Sequence, residues 1–254
     1  MCYNAEAQTK ASIKYAKHKS FDANIIKQLQ LKLDLISYTP YYQVSGFAHP
    51  RILVFTDREP LEPKLFHWGL IPSWIKDEEG AKKIINQTLN ARGETIYEKP
   101  AFRTSAKSKR CLVYLDAFYE HHHLNGKTFP FRIAMKDDSP MAIAGLWEEW
   151  ANPKGSGEII STFTIVTTVG NSIMAKVHNN PKAEGPRMPV IIPKDKQDEW
   201  LDIKADKEVI QSLIKPFDGS LLEYHTVGKI LGKAAIGNKP EVENKVKYQE
   251  IDWV

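Results

Sequence analysis

From Arg110 to Trp150 the chain reads RCLVYLDAFYEHHHLNGKTFPFRIAMKDDSPMAIAGLWEEW. Three runs in it, Arg110–Tyr119, Phe129–Met135 and Met141–Trp150, are rich in β-branched and aromatic residues and read as strands. Between the first two, His122–Lys127 carries Asn125-Gly126, the strongest short hairpin signal. Outward from this core, Arg51–Phe55, Lys64–Trp68, Thr162–Thr168 and Met188–Ile192 show the same strand character, and Asn152–Gly157, rich in Gly, Pro and Ser, is a second hairpin connection. Sequential antiparallel pairing follows.

Helices are sparser. Phe21, Ile25, Leu29, Leu33 and Ile36 recur at helical spacing behind Ser20, a candidate N-cap, so residues 21–36 are predicted to form an amphipathic helix over one side of the core. Further helices are expected at Asn171–Val177, Lys194–Leu201 and Lys207–Ile214. Strand and helix never alternate as a parallel α/β fold requires. The expected architecture is one α+β domain over residues 1–254, with 228–254 a partly irregular C-terminal tail and no internal repeat.

Composition narrows the function classes. With 254 residues and 42% hydrophobic content the chain can build a buried core. No apolar run approaches a membrane span or a signal core, so a cytosolic protein away from membranes is expected. Cys2 and Cys111 are the only cysteines, too few for a disulfide framework or a cysteine-rich zinc site, and both are expected as reduced thiols, Cys111 in the core. His121, His122 and His123 alternate across a strand and lack a partner cluster, so neither metal nor cofactor is expected. The net charge of +4 permits a polyanionic partner without demanding one. Its distribution says more: Lys99, Arg103, Lys107, Lys109 and Arg110 lie in an acid-free stretch, and Lys10, Lys14, Lys17 and Lys19 form a second basic run.

Four places carry chemistry. Methionine is normally removed before a small residue, so Cys2 would present an α-amine and a thiol together, a pair that condenses with an aldehyde to an imine and then closes to a thiazolidine. Both groups are mostly protonated at pH 7, so a neighbouring proton acceptor would help; equally, Cys2 is an inert terminal residue. Asn90, in the block Asn90–Thr95, can orient a substrate or stabilise a turn, and Arg92 can grip a phosphate. Glu120 closes a buried apolar run, where desolvation would keep a general acid protonated, or it is a surface ion-pair partner. His178, titrating near neutrality, suits proton exchange, with Arg187 behind it for phosphate, or it is structural. Trp68 and Trp74, in the stretch Phe66–Trp74, offer a stacking platform for unpaired bases or anchors for the core.

Taken in order, these segments resemble the SRAP family, the SOS-response-associated proteins that process abasic sites. The Met1-Cys2 start, Trp68–Trp74, Asn90–Thr95, Phe118-Tyr119-Glu120, Phe163–Thr168, His178 and Arg187-Met188-Pro189 carry the resemblance over nearly the whole chain. It implies a largely antiparallel, barrel-like β core with peripheral helices and a basic groove for single-stranded DNA ending at the N-terminal cysteine. Cys2 would be the nucleophile, Asn90 its orienting partner, Glu120 the acid that opens the abasic sugar and His178 the proton-transfer partner. Arg92 and Arg187 would hold phosphates, with Asn4, Trp68, Pro72, Trp74, Arg103, Met188 and Pro189 as further DNA contacts. The implied protein is a cofactor-free monomer, on the nucleoid when bound, that shields abasic lesions in single-stranded DNA by a covalent link, with possible lyase and autopeptidase activity.

Some positions depart from the family pattern. Tyr3-Asn4 stands where Gly-Arg is common, Tyr42–Gly46 replaces a segment that usually carries Asn and Pro, the loop Asn179–Pro186 is longer, and so is the helical segment near residues 10–37. Two rival functions remain open at this stage: an N-terminal-nucleophile cysteine peptidase or amidohydrolase with His178 as base, and a non-covalent single-stranded DNA binder.

Overall fold

The structure, a computed structural model, describes residues 2–7, 22–35, 40–152, 155 and 157–253. Its centre is a ring of five strands: β3 (Arg51–Thr56), β4 (Lys64–Trp68), β6 (Arg110–Leu115), β9 (Met141–Ala151) and β10 (Ile159–Val169). The order β10-β4-β3-β6-β9 closes through β9–β10 pairing, so the sheet becomes a barrel. The pairing around it is antiparallel except between β10 and β4, which run parallel. That parallel contact is the exception to the sequential antiparallel pairing expected from the hairpins.

β10 outreaches its neighbours, and its far half positions the site. Thr162 and Phe163 pair with His67 and Trp68 of β4. Further on, Ile165, Val166 and Thr167 pair with Asn90, Ala91 and Arg92 of β5 (Asn90–Arg92). On the opposite edge Thr167, Thr168 and Val169 face β11 (Arg187–Pro189). One strand end therefore carries both arginine-bearing blocks.

A second sheet has the order β12-β8-β7-β1-β2, made of β1 (Asn4–Ala7), β2 (Tyr41–Ser45), β7 (Ala117–Leu124), β8 (Lys127–Met135) and β12 (Leu222–Thr226). The Asn125-Gly126 signal is realised between β7 and β8: Leu124 pairs with Lys127, and the two turn residues sit at φ 50° and 73°. The single strand predicted over Arg110–Tyr119 is instead divided at Asp116, whose N–H bonds the Glu6 carbonyl. Arg110–Leu115 thereby joins the barrel and Ala117–Leu124 the second sheet. Every residue from Arg110 to Glu120 is buried, which explains why the run shows no polar alternation at the break.

The predicted helix 21–36 is seen as α1 (Ala23–Leu35), burying Leu29 and Leu33. Its first N–H groups, those of Asn24 and Ile25, donate to the Asp22 carboxylate; Ser20, Phe21 and Ile36 lie outside the described residues. Two unpredicted helices, α2 (Glu78–Ile85) and α3 (Arg103–Ser108), precede the expected α4 (Ser172–Val177), α5 (Gln197–Leu201) and α6 (Lys207–Leu213). None of these described helices is long and apolar enough to cross a membrane. From Gly228 onward the regular structure is a 3-10 turn, Pro240–Glu243, yet Ile230, Val242 and Ile251 are buried, so the irregular tail packs on the second sheet.

Candidate active site

Trp68 locks the floor beneath the site. Its indole N–H donates to the Leu89 carbonyl at 2.8 Å and its ring stacks on Phe163, which fixes the chain one residue before Asn90. The amide of Asn90 then donates through Nδ2 to the carbonyl of Cys2, also at 2.8 Å. The buried Oδ1 of Asn90 has no hydrogen-bond partner among the described residues, an unspent acceptor beside the N-terminus. Cys2 arrives because β1 runs antiparallel to β7, with Asn4 opposite Tyr119, so the residues before Asn4 lead toward Glu120. Asn4 is held by Gln43, whose Nε2 donates to its Oδ1 at 3.0 Å.

The electrostatics follow from burial. Glu120 lies mid-strand in β7 and not at a strand end, and desolvation pushes its carboxyl up to about 7. The same cause pulls His178 down to about 4, well below the near-neutral titration expected from the sequence. His178 Nδ1 lies 3.8 Å from Glu120 Oε2 and 3.3 Å from the Arg187 carbonyl oxygen. Near pH 7 the histidine is therefore neutral, and Glu120 is the group of the two that still holds a proton in part of the molecules. Burial, with the Glu120 charge in support, raises the Cys2 thiol far above its usual range. Cys2 still follows Met1 here, so its nitrogen is a peptide nitrogen.

These groups meet a cavity of about 810 Å³. Tyr3, Asn4, Arg92, Glu120, His178 and Arg187 line it; the fully buried Cys2 and the partly buried Asn90 do not. Both arginines are already engaged: Arg92 pairs with Glu184 at 2.7 Å, and Arg187 grips Glu94 through two bonds of 3.1 and 2.8 Å while donating to the Thr167 carbonyl. Other residues singled out in the sequence lie elsewhere. Trp68, Pro72, Met188 and Pro189 are buried, Trp68 with no exposed surface for a base. Trp74 is half-exposed with its indole N–H on the Pro100 carbonyl, and Arg103 is exposed at the start of α3; neither lines the cavity.

Sequence reasoning gives several wall residues no place in the site. Phe47, His121, His123 and Glu184 line the same cavity without belonging to any motif block. His121 shares the fate of His178, drawn down to about 4 by burial, whereas His122 packs edge-on against Phe131 and Trp253.

Comparison with known proteins supplies the lineage. The family model described as SOS response associated peptidase (SRAP) matches residues 4–234. The abasic site processing protein YoqW of Bacillus subtilis (strain 168) is 37% identical over 207 residues, covering 81% of this chain and 86% of its own. YobE, an abasic site processing protein from the same organism, is 34% identical over 233 residues, 90% of this chain and 97% of its own. A crystal structure of a protein from Bacteroides thetaiotaomicron matches with a TM-score of 0.82 at 31% identity, spanning 97% of this chain and all of that one (100%). With the motif blocks, the barrel and these relatives in agreement, the chain belongs to the SRAP family.

Proposed function

We propose that this chain processes abasic sites in single-stranded DNA by forming a thiazolidine link through Cys2 once Met1 has left. The observation that carries the proposal is the buried Glu120 carboxyl, raised to about 7, close to Cys2 at a cavity with an arginine on either side of β10. The closed sugar of an abasic site must open before it can react. A proton from Glu120 to the ring oxygen breaks the ring C–O bond while the anomeric hydroxyl returns a proton to the carboxylate, directly or through water, which releases the aldehyde; the Cys2 amine adds to it, with loss of water, to give an imine. The thiol then adds to the imine carbon, its proton passing to the nitrogen, and the ring closes with no change of oxidation state. His178, neutral at this pH, lies 3.8 Å from the Glu120 carboxyl and adds no positive charge that would strip it of its proton.

A cysteine peptidase needs a thiolate, and such cysteines have their pKa lowered by nearby positive charge. Cys2 is shifted the other way by burial and by Glu120, which favours the amine as the first nucleophile and the thiol as the group that closes the ring. The test is a denaturing gel. Protein whose free Cys2 amine has been verified by mass spectrometry is mixed with an oligonucleotide carrying one abasic site. A shifted band with the mass of protein plus DNA minus one water is expected; peptide turnover with no band would sink the reading.

The arginine pairs give a second expectation. Glu184 occupies Arg92 in a largely solvent-exposed ion pair, so Glu184→Gln should free the guanidinium for phosphate. Affinity for single-stranded DNA should rise by roughly two- to fivefold at low salt, as anisotropy would show, and the gain should vanish at high salt. A gain that persists in high salt would mean that Glu184 acts by shape and not by charge.

A further inference from the structure

The rim of the cavity carries an aromatic pair outside the motif blocks. Tyr3 and Phe47 face each other with ring centroids 5.0 Å apart and planes tilted by 32°. Phe47 is 54% exposed although it is a large apolar residue, and both rings line the cavity that Arg92 and Glu120 share.

Phe47 is held rigidly. It sits in the 3-10 turn Gly46–Ala48, capped by Ser45, whose Oγ accepts from the Phe47 N–H, and closed by His49 in the left-handed region at φ 48°. Gly46 rests on the Trp68 ring, where an added Cβ would lie 3.2 Å from the indole carbons. The Gly46 N–H also donates to the Tyr3 carbonyl at 2.8 Å, tying the turn to the residue next to Cys2. The buried Trp68 thus supports the turn that presents Phe47.

We propose that Tyr3 and Phe47 form the stacking wall for the unpaired base next to the abasic sugar, the role for which the sequence nominates Trp68 and Trp74. The proposal rests on the abasic-site reading above. A nucleobase is the occupant that fits: Tyr3 adjoins the reactive cysteine in the chain, Phe47 packs against Tyr3, and the same cavity carries Arg92 for the adjoining phosphate. Aromatic rings beside cations along the strand path are the usual construction of single-strand sites.

Anisotropy with fluorescein-labelled single strands tests this apart from the covalent chemistry. Each strand carries a tetrahydrofuran abasic analogue, which has no aldehyde, flanked on one side by either adenine or a second tetrahydrofuran. The wild-type chain should bind the adenine-flanked strand about tenfold more tightly. Phe47→Ala should erase that preference while leaving the base-free strand unaffected, Tyr3→Leu should reduce it, and Phe47→Trp should restore it. Equal binding of both strands by the wild type, or a preference that survives Phe47→Ala, overturns the stacking wall. The two readings fail separately. A preference without adduct formation on a true abasic site removes the covalent function and keeps the wall; adduct formation without preference does the reverse.

Discussion

Cys2→Ala is expected to abolish the adduct that survives denaturation, a drop of at least about a hundredfold, to the limit of detection. The variant keeps its α-amine, and Asn90 holds the Cys2 backbone carbonyl and not the side chain, so the amine stays where it is. Imine formation should therefore persist, and borohydride should trap it as a secondary amine in Cys2→Ala. Without ring closure the imine is open to hydrolysis and to β-elimination, so strand cutting should appear where the wild type protects the strand. Cys111 cannot substitute: it lies inside β6, paired with Thr56 and Gly145, and as an internal residue it has no α-amine beside its thiol. Removing one buried sulfur costs about 1 kcal/mol, a shift of a few degrees in Tm, so a folded variant should be confirmed by thermal melting. A wild-type level of stable adduct in Cys2→Ala would move the chemistry to a lysine.

How much of this was legible in the sequence depends on how local the cause is. The hairpin at Asn125-Gly126 is written in two residues that tolerate positive φ, and the structure shows both there. β1, β2 and β5 are short and lack a run of β-branched residues, because their stability comes from strands distant in the chain; β1 is buried between β2 and β7. The parallel contact of β10 with β4 and the division at Asp116 likewise belong to barrel closure and leave no local mark. In the site, residue type and order single out Cys2, Asn90, Glu120 and His178, and the structure gathers them. The raised Glu120 carboxyl was among the readings its buried run allowed, whereas the lowering of His178 was not, although the same burial drives a carboxyl up and an imidazole down. Nor was the engagement of Arg92 by Glu184, a long-range pair with no motif.

Glu120→Gln should separate the cost of this arrangement from its use. The wild-type carboxyl titrates near 7 in the fold against an ordinary value of 4.5, so the native state binds more protons than the unfolded chain between those limits. Stability contributed at Glu120 is therefore lost as pH rises from 4.5 through 7, to a penalty of about 3 kcal/mol at higher pH. Glutamine carries no charge, so the variant should melt several degrees above the wild type at pH 8, the gap closing toward pH 4.5. His121 and His178, both drawn down to about 4, oppose acid stability alike in the two proteins and leave the difference standing. Adduct formation should move the other way. Loss of a general acid slows opening of the sugar by roughly a hundredfold or more. The wild-type rate needs a protonated Glu120, lost above pH 7, and a neutral amine, gained toward pH 8, so it should peak between them. In Glu120→Gln the fall at high pH should disappear, leaving a rate that climbs and levels as the amine loses its proton. Single-turnover rates from pH 5 to 9, paired with melting curves, read both effects; a variant that is slower but still falls above pH 7 would assign the acid to another group.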